Sequence, residues 1–151
     1  MREVAYVSAG IIMQKRSAIE QMGFQDEKIN MYCDERDVAI RLNKLGYREV
    51  VTSNAVAWHQ HINKDGLSGR SLFAPFFSSR NYIYLIRKHS TIFIALWESV
   101  LVLLYWTVLV LFHFFKGDRF KLSFDYAVMT GTIFGLFNIM ETIPKWLNRH
   151  K

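Results

Sequence analysis

The chain has 151 residues, 19 Lys and Arg against 13 Asp and Glu, and a single cysteine, Cys33. The length suits one modest domain of the ~100 to 200-residue kind, and one cysteine excludes an internal disulfide framework or a metal-thiolate cluster. The net charge of +6 lies almost wholly after residue 70, where nine basic residues stand against four acids, compared with ten against nine before it; this excess flanks very apolar segments, which suits an anionic membrane surface and argues against nucleic acid, where exposed aromatics would interleave with the cations.

In chain order, "VAYVSAG" and "IIMQK" read as short strands around Gly10, and "RSAIEQMG" as a short helix with Ser17 as N-cap and Gly23 just past its end. No charged and then apolar leader opens the chain, so no signal peptide is expected, and a reducing, cytoplasmic setting fits. The next helix is better marked. Val38, Leu42 and Leu45 fall at i, i+4, i+7, Gly46 stands at C′, and Asp34, Glu35 and Asp37 occupy the cap and first turn. "YREVVTS" and "AVAWHQH" follow as strands; on the second, His59 and His61 face one side and Trp58 the other.

The boundary in composition lies near His89. Residues 89 to 115 hold one formal charge, Glu98, in a run longer than the ~20 apolar residues that cross a bilayer. After the basic connector "KGDRFK" comes a second apolar stretch, residues 124 to 143, interrupted by Asp125 and Glu141 and carrying Gly131 and Gly135 at helix-packing spacing. Pro144 and "KWLNRHK" close it with an aromatic and basic anchor. Two spanning helices would put "KGDRFK" across the membrane from the N-terminal part, against the positive-inside tendency. An in-plane or re-entrant hairpin keeps every basic segment on the cytoplasmic face. Both arrangements stay open at the level of sequence.

The cluster "DERD" has a plain explanation, since acids at a helix N-terminus gain about 0.3 to 1 kcal/mol each. That accounts for one or two of them, and leaves the further acid after Arg36 and the acidic loop before it.

The order "SAGIIMQKRSAIEQMGFQDEKINMYCDERDVAIRLNKLGY", then "AVAWHQH", then "FFSSRNYIYLIRK" resembles the C-terminal half of a family 2 glycosyltransferase over about residues 5 to 90. The matched positions are Gly23, Phe24, Asp26 and Glu27; then Tyr32, Asp34, Glu35 and Asp37; then Arg41, Trp58, His59 and the pair Arg80 and Asn81, expected to open a helix. The fold this implies is α/β, an incomplete GT-A-like domain over residues 1–88, followed by two hydrophobic, membrane-associated helices over 89–151.

The resemblance also implies a chemistry: inverting transfer of a sugar from a nucleotide-sugar donor to a saccharide or lipid-linked acceptor of the cell envelope. The part carried here would be the acceptor side and the catalytic base. By position Glu35 inherits the base, with Asp34 a rival because the usual Glu-then-Asp order is reversed. A neighbouring like charge can raise the pKa of such a base. Asp37, Arg41, Trp58, Arg80 and Asn81 would bind substrate, and His59 would be a ligand of Mn²⁺ or Mg²⁺, a metal expected only in the complete catalytic domain. The family's nucleotide-binding strands and Asp-x-Asp motif have no counterpart in the sequence. A truncated or split enzyme is therefore expected, with a separate N-terminal half as a possible partner, at the cell membrane with its catalytic part on the cytoplasmic face. The competing reading is a non-catalytic remnant whose membrane hairpin serves as an interaction or structural element. A hydrolase is weaker, because adjacent acids on one helical turn do not flank a glycosidic bond at ~5 to 9.5 Å.

Overall fold

The computed structural model describes residues 1–7, 11–29, 31–58 and 72–150, with side chains from 148 onward excepted. The chain forms two compact units, Met1–Ile62 and Asn63–Lys151.

In the first unit, strand β1 (Arg2–Val4) pairs antiparallel with β2 (Glu49–Val51), with Arg2 opposite Val51 and Val4 opposite Glu49. Glu49 extends the pairing by accepting the Val7 backbone N–H at 2.6 Å. Between the strands lie helices α1 (Arg16–Met22) and α2 (Asp34–Lys44), which bury Ala18 against Val38 and Leu42, with Met22 and Tyr47 at the margin. The apolar spacing on α2 thus selects the face that meets α1. Gly46, at φ 82°, ends α2 as expected: its N–H reaches the Asn43 carbonyl and that of Tyr47 reaches Leu42.

Several local expectations fail. The N-cap of α1 is Lys15, with no side-chain cap, and Ser17 lies inside the helix. The sheet uses Arg2–Val4 and leaves Ala5 to Val7 and Ile11 to Lys15 outside any strand; residues 8–10 lie outside the described residues. Ala55 to Trp58 is irregular as well. Apolar alternation alone does not make a strand when no neighbouring strand takes its hydrogen bonds.

The second unit is helical: α3 (Phe73–His89), α4 (Ile92–Lys116), α5 (Arg119–Leu136) and a short 3₁₀ helix, Lys145–His150. Its core is Leu72, Phe76, Phe77, Ala127 and Leu147, joined by Phe73, Phe124, Phe134 and Trp146. Gly131 and Gly135 bring α5 hard against α3. A Cβ at Gly131 would meet Ser79 and the Phe76 carbonyl, and one at Gly135 the Arg80 carbonyl, so the two glycines form the close-packing face that their spacing suggested. α3 therefore packs with the apolar helices, and the division between compact units falls at residue 62, ahead of the composition change near His89. Composition marks where the surface becomes apolar; packing marks which helices share a core.

α4 is capped by Thr91, whose hydroxyl accepts the Ile94 N–H, and ends at Gly117 with φ 70°. α5 starts earlier than the apolar stretch, because Asp118 caps it by accepting the Lys121 N–H, and stops at Leu136. Asn138 at φ 57° then closes it with the Ile139 N–H on the Phe134 carbonyl. Asp125, which interrupted the second apolar stretch, is buried with its carboxylate 2.6 Å from His113 Nδ1 on α4. The polar interruption ties the hairpin together.

Candidate functional site

The acidic cluster begins α2 from a strained approach. Tyr32 and Cys33 both adopt left-handed backbone, φ 63° and 65°, which non-glycine residues seldom do. Cys33 is the N-cap and provides no side-chain cap, so Asp34, Glu35 and Asp37 are the anionic groups of the first turn. Such strain persists only where surrounding structure enforces it, and it concentrates at working sites.

The three acids have different surroundings. Asp37 is 1% exposed and faces Arg41 one turn on, Nη1 to Oδ2 3.3 Å. Arg41 also donates to the Phe24 carbonyl at 2.9 Å and to the Met22 carbonyl. One guanidinium thereby joins α2 to the end of α1 and to the turn after it, where Gly23 takes φ 78° and the Asp26 carboxylate accepts the Lys28 N–H. The motif residues Gly23, Phe24, Asp26, Asp37 and Arg41 thus form one connected piece of backbone and side chain.

Asp34 and Glu35 are half-buried. Burial pushes the Glu35 carboxyl above its ordinary range, and a hydrogen bond with Asp34 and that residue's charge push the same way; its own backbone N–H and Arg36 oppose them. Arg36 is turned to Tyr6, with its guanidinium 5.1 Å from the ring centre and Nη2 3.3 Å from the hydroxyl. Burial also raises the Cys33 thiol. A carboxyl with a raised pKa beside a second carboxyl has the chemistry to accept a proton from a hydroxyl held within hydrogen-bond reach.

Trp58 is 88% exposed; His59 and His61 lie outside the described residues. Arg80 and Asn81 do not open a helix but sit in the middle of α3, both fully buried. Arg80 Nε donates to Asn81 Oδ1 at 3.0 Å and Nη1 to the Met140 carbonyl at 2.8 Å, while its plane lies 4.5 Å from the Phe77 ring centre. Among the described residues Nη2 has no hydrogen-bond partner, and burial lowers the guanidinium pKa. Pro75 explains the earlier helix start: it fits the first turn, where no N–H is required. Sequence reading missed the left-handed pair and the Tyr6–Arg36 contact. The first carries no compositional mark, and the second joins residues 30 apart.

Over 89 residues the chain is 33% identical to N-acetylglucosaminyl-diphospho-decaprenol L-rhamnosyltransferase of Mycobacterium tuberculosis, from strains CDC 1551 / Oshkosh and ATCC 25618 / H37Rv alike. The chain is similar to a glycosyltransferase over part of its length. The match takes in 59% of this chain and 29% of either relative. No protein-family model matches, and no solved structure gives a significant match.

Proposed function

We propose that this chain supplies the acceptor side and the catalytic base of an inverting, family 2-like glycosyltransferase with a GT-A-type catalytic domain, acting on a lipid-linked saccharide of the cell envelope. The observation that carries the reading is the Asp34–Glu35 pair at the start of α2, with the Glu35 carboxyl raised and Asp37 already committed to Arg41. The partial likeness to a transferase named for a diphospho-decaprenol acceptor supports the substrate class.

In this reading the Glu35 carboxylate takes the proton of an acceptor hydroxyl. The freed oxygen forms a bond to the donor's anomeric carbon from the face opposite the nucleotide, and the carbon–oxygen bond to the diphosphate breaks. Burial first, and then the hydrogen bond and charge of Asp34, raise the Glu35 carboxyl above its ordinary range, the direction that suits a base. Arg41 and Asp37 position the pair by fixing the start of α2 to the turn at Phe24.

A divalent metal would neutralise the leaving diphosphate. Among the described residues no three potential ligands cluster, so these residues do not make a metal site by themselves, and no step here is assigned to one. His59 is this chain's proposed contributor to a Mn²⁺ or Mg²⁺ site completed by a nucleotide-binding half. The lack of an Asp-x-Asp motif in the sequence motivates that division.

The proposed location is the cytoplasmic face of the cell membrane. α4 has 25 residues and is about 37 Å long at ~1.5 Å per residue, and only 11% of its apolar window is buried. α5 is occupied on one face by α3, which bears exposed Arg87 and Lys88; that favours helices lying in the membrane plane.

The deciding experiment supplies the N-terminal half of the mycobacterial relative to the full chain in nanodiscs and measures sugar transfer to a polyprenyl-diphosphate saccharide. Transfer that requires both halves and Glu35 supports the reading. Donor binding restored without any transfer would leave the chain as a non-catalytic membrane element.

A further inference from the structure

Within the second unit, a cleft of about 400 Å³ is lined by Leu72, Val110, Leu122, Ser123, Tyr126 and Trp146. Its volume lies within the ~300 to 1,000 Å³ common for small-molecule sites. The lining is apolar apart from the polar tips of Tyr126, Trp146 and Ser123, and the Ser123 hydroxyl already donates to the Arg119 carbonyl at 2.9 Å. The Tyr126 and Trp146 rings stand 5.3 Å apart as neighbouring walls. Val110 belongs to α4, where Phe114, one turn on along the same side of the helix, is 64% exposed, so the cleft adjoins open apolar surface of that helix.

Cations stand beside this lining. Arg119 and Lys121 precede Leu122 and Ser123, and Lys145 precedes Trp146; all three are exposed. Lys121 is held by Asp118 at 3.4 Å, whereas Arg119 and Lys145 have no acid paired to them among the described residues. An apolar slot with a cationic margin, next to a lipid-compatible helix, complements a molecule with a single hydrocarbon chain and an anionic phosphate head.

We propose that the cleft between α4, α5 and the Lys145–His150 helix seats the isoprenoid chain of a polyprenyl phosphate, with Arg119 and Lys145 at the level of its phosphate. The proposal rests on the lipid-linked acceptor class proposed above and assigns that acceptor's lipid a place in this chain.

The test uses the full chain in nanodiscs and a polyprenyl phosphate bearing a photoreactive diazirine in its chain. Labelling should fall on peptides containing Leu122 to Tyr126 and Trp146. Unlabelled polyprenyl phosphate should compete, and dioleoyl phosphatidylglycerol at the same mole fraction should not. Ser123→Trp fills the cleft from α5 and Val110→Trp from α4; either should cut specific labelling about tenfold, equivalent to ~1.4 kcal/mol, while Leu104→Trp, on the exposed face of α4, should leave it intact. Circular dichroism and thermal unfolding identify which variants keep the fold, and a folded one of the pair suffices. Even labelling along α4, equal competition by phosphatidylglycerol, or full labelling of a folded cleft variant would overturn the proposal. Because the readout is binding, a chain without transfer activity can still pass it, and an active one can fail.

Discussion

Arg41 Nη1 stands 3.3 Å from the Asp37 carboxylate one helical turn before it, with Asp37 buried and the same guanidinium spent on the carbonyls of Met22 and Phe24. Two residues that resemblance assigned to substrate binding thus also tie α2 to the end of α1 and the turn after it. Arg41→Ala should leave two carbonyls and one buried acid without this donor, at a cost of about 2 to 4 kcal/mol. Arg41→Lys should recover only part of that, since an ammonium cannot serve three acceptors in one plane. Hydrogen exchange of the α2 amides in the detergent-solubilised chain is the readout. Unchanged protection in Arg41→Ala would remove the positioning role.

Glu35→Gln should lower kcat in the complemented enzyme by at least ~100-fold with little change in donor affinity, the scale for a lost general base. Asp34→Asn should slow the reaction less and move the acid limb of the rate profile to lower pH, because Asp34, after burial, helps hold the Glu35 carboxyl up. If Glu35→Gln stays active and Asp34→Asn is dead, the base is Asp34.

The same shift has a stability consequence. A carboxyl whose folded pKa is raised binds its proton more tightly in the folded state, so its contribution falls as pH rises through the folded value. Glu35→Gln should therefore be more stable than the parent at neutral pH, and the difference should vanish below about pH 4, where the unfolded carboxyl is also protonated. Thermal unfolding of both proteins from pH 4 to 8 measures it; a parent that outlasts Glu35→Gln at neutral pH would contradict the raised pKa.

Gly135→Ala places a methyl group against the Arg80 carbonyl. Since α3 cannot retreat without opening Phe76, Phe77 and Ala127, the substitution should cost about 1 to 3 kcal/mol. Gly117→Ala, with nothing within 4 Å of the added methyl, should act only through its positive φ. Comparable unfolding midpoints for Gly135→Ala and the parent would show that α3 and α5 do not pack this closely.

The chain should partition into membranes and resist extraction by high salt, since apolar contact is not screened while charge attraction is. Replacing Leu104, Val108 and Leu111 together with Lys should release it to carbonate washing. Recovery of the parent as a detergent-free soluble monomer would end the membrane reading.

Much of the local order was legible in the sequence. The period of Val38 and Leu42, the glycine after α2, the long run of α4 and the paired glycines of α5 each act through nearest neighbours or one helix face, and those are encoded locally. The acidic cluster was legible as a candidate, but its division of labour was not. Which acid is buried against Arg41 and which has its carboxyl raised by burial beside its neighbour depends on where the turn at Phe24 passes α2.

The same holds for Arg80 and for the cleft beside Trp146. Arg80 sits in a run that reads as a helix opening, yet it lies under the Phe77 ring because residues 60 positions later return to place the Met140 carbonyl on its Nη1. Trp146 reads as a membrane anchor and becomes a cleft wall because Leu147 beside it is drawn into the core of Phe76 and Ala127. Sequence fixes which faces must leave water, since that follows from residue type and helical period. Which partner each face finds is a long-range choice, settled only when distant segments fold back and close packing leaves one arrangement that fills the space.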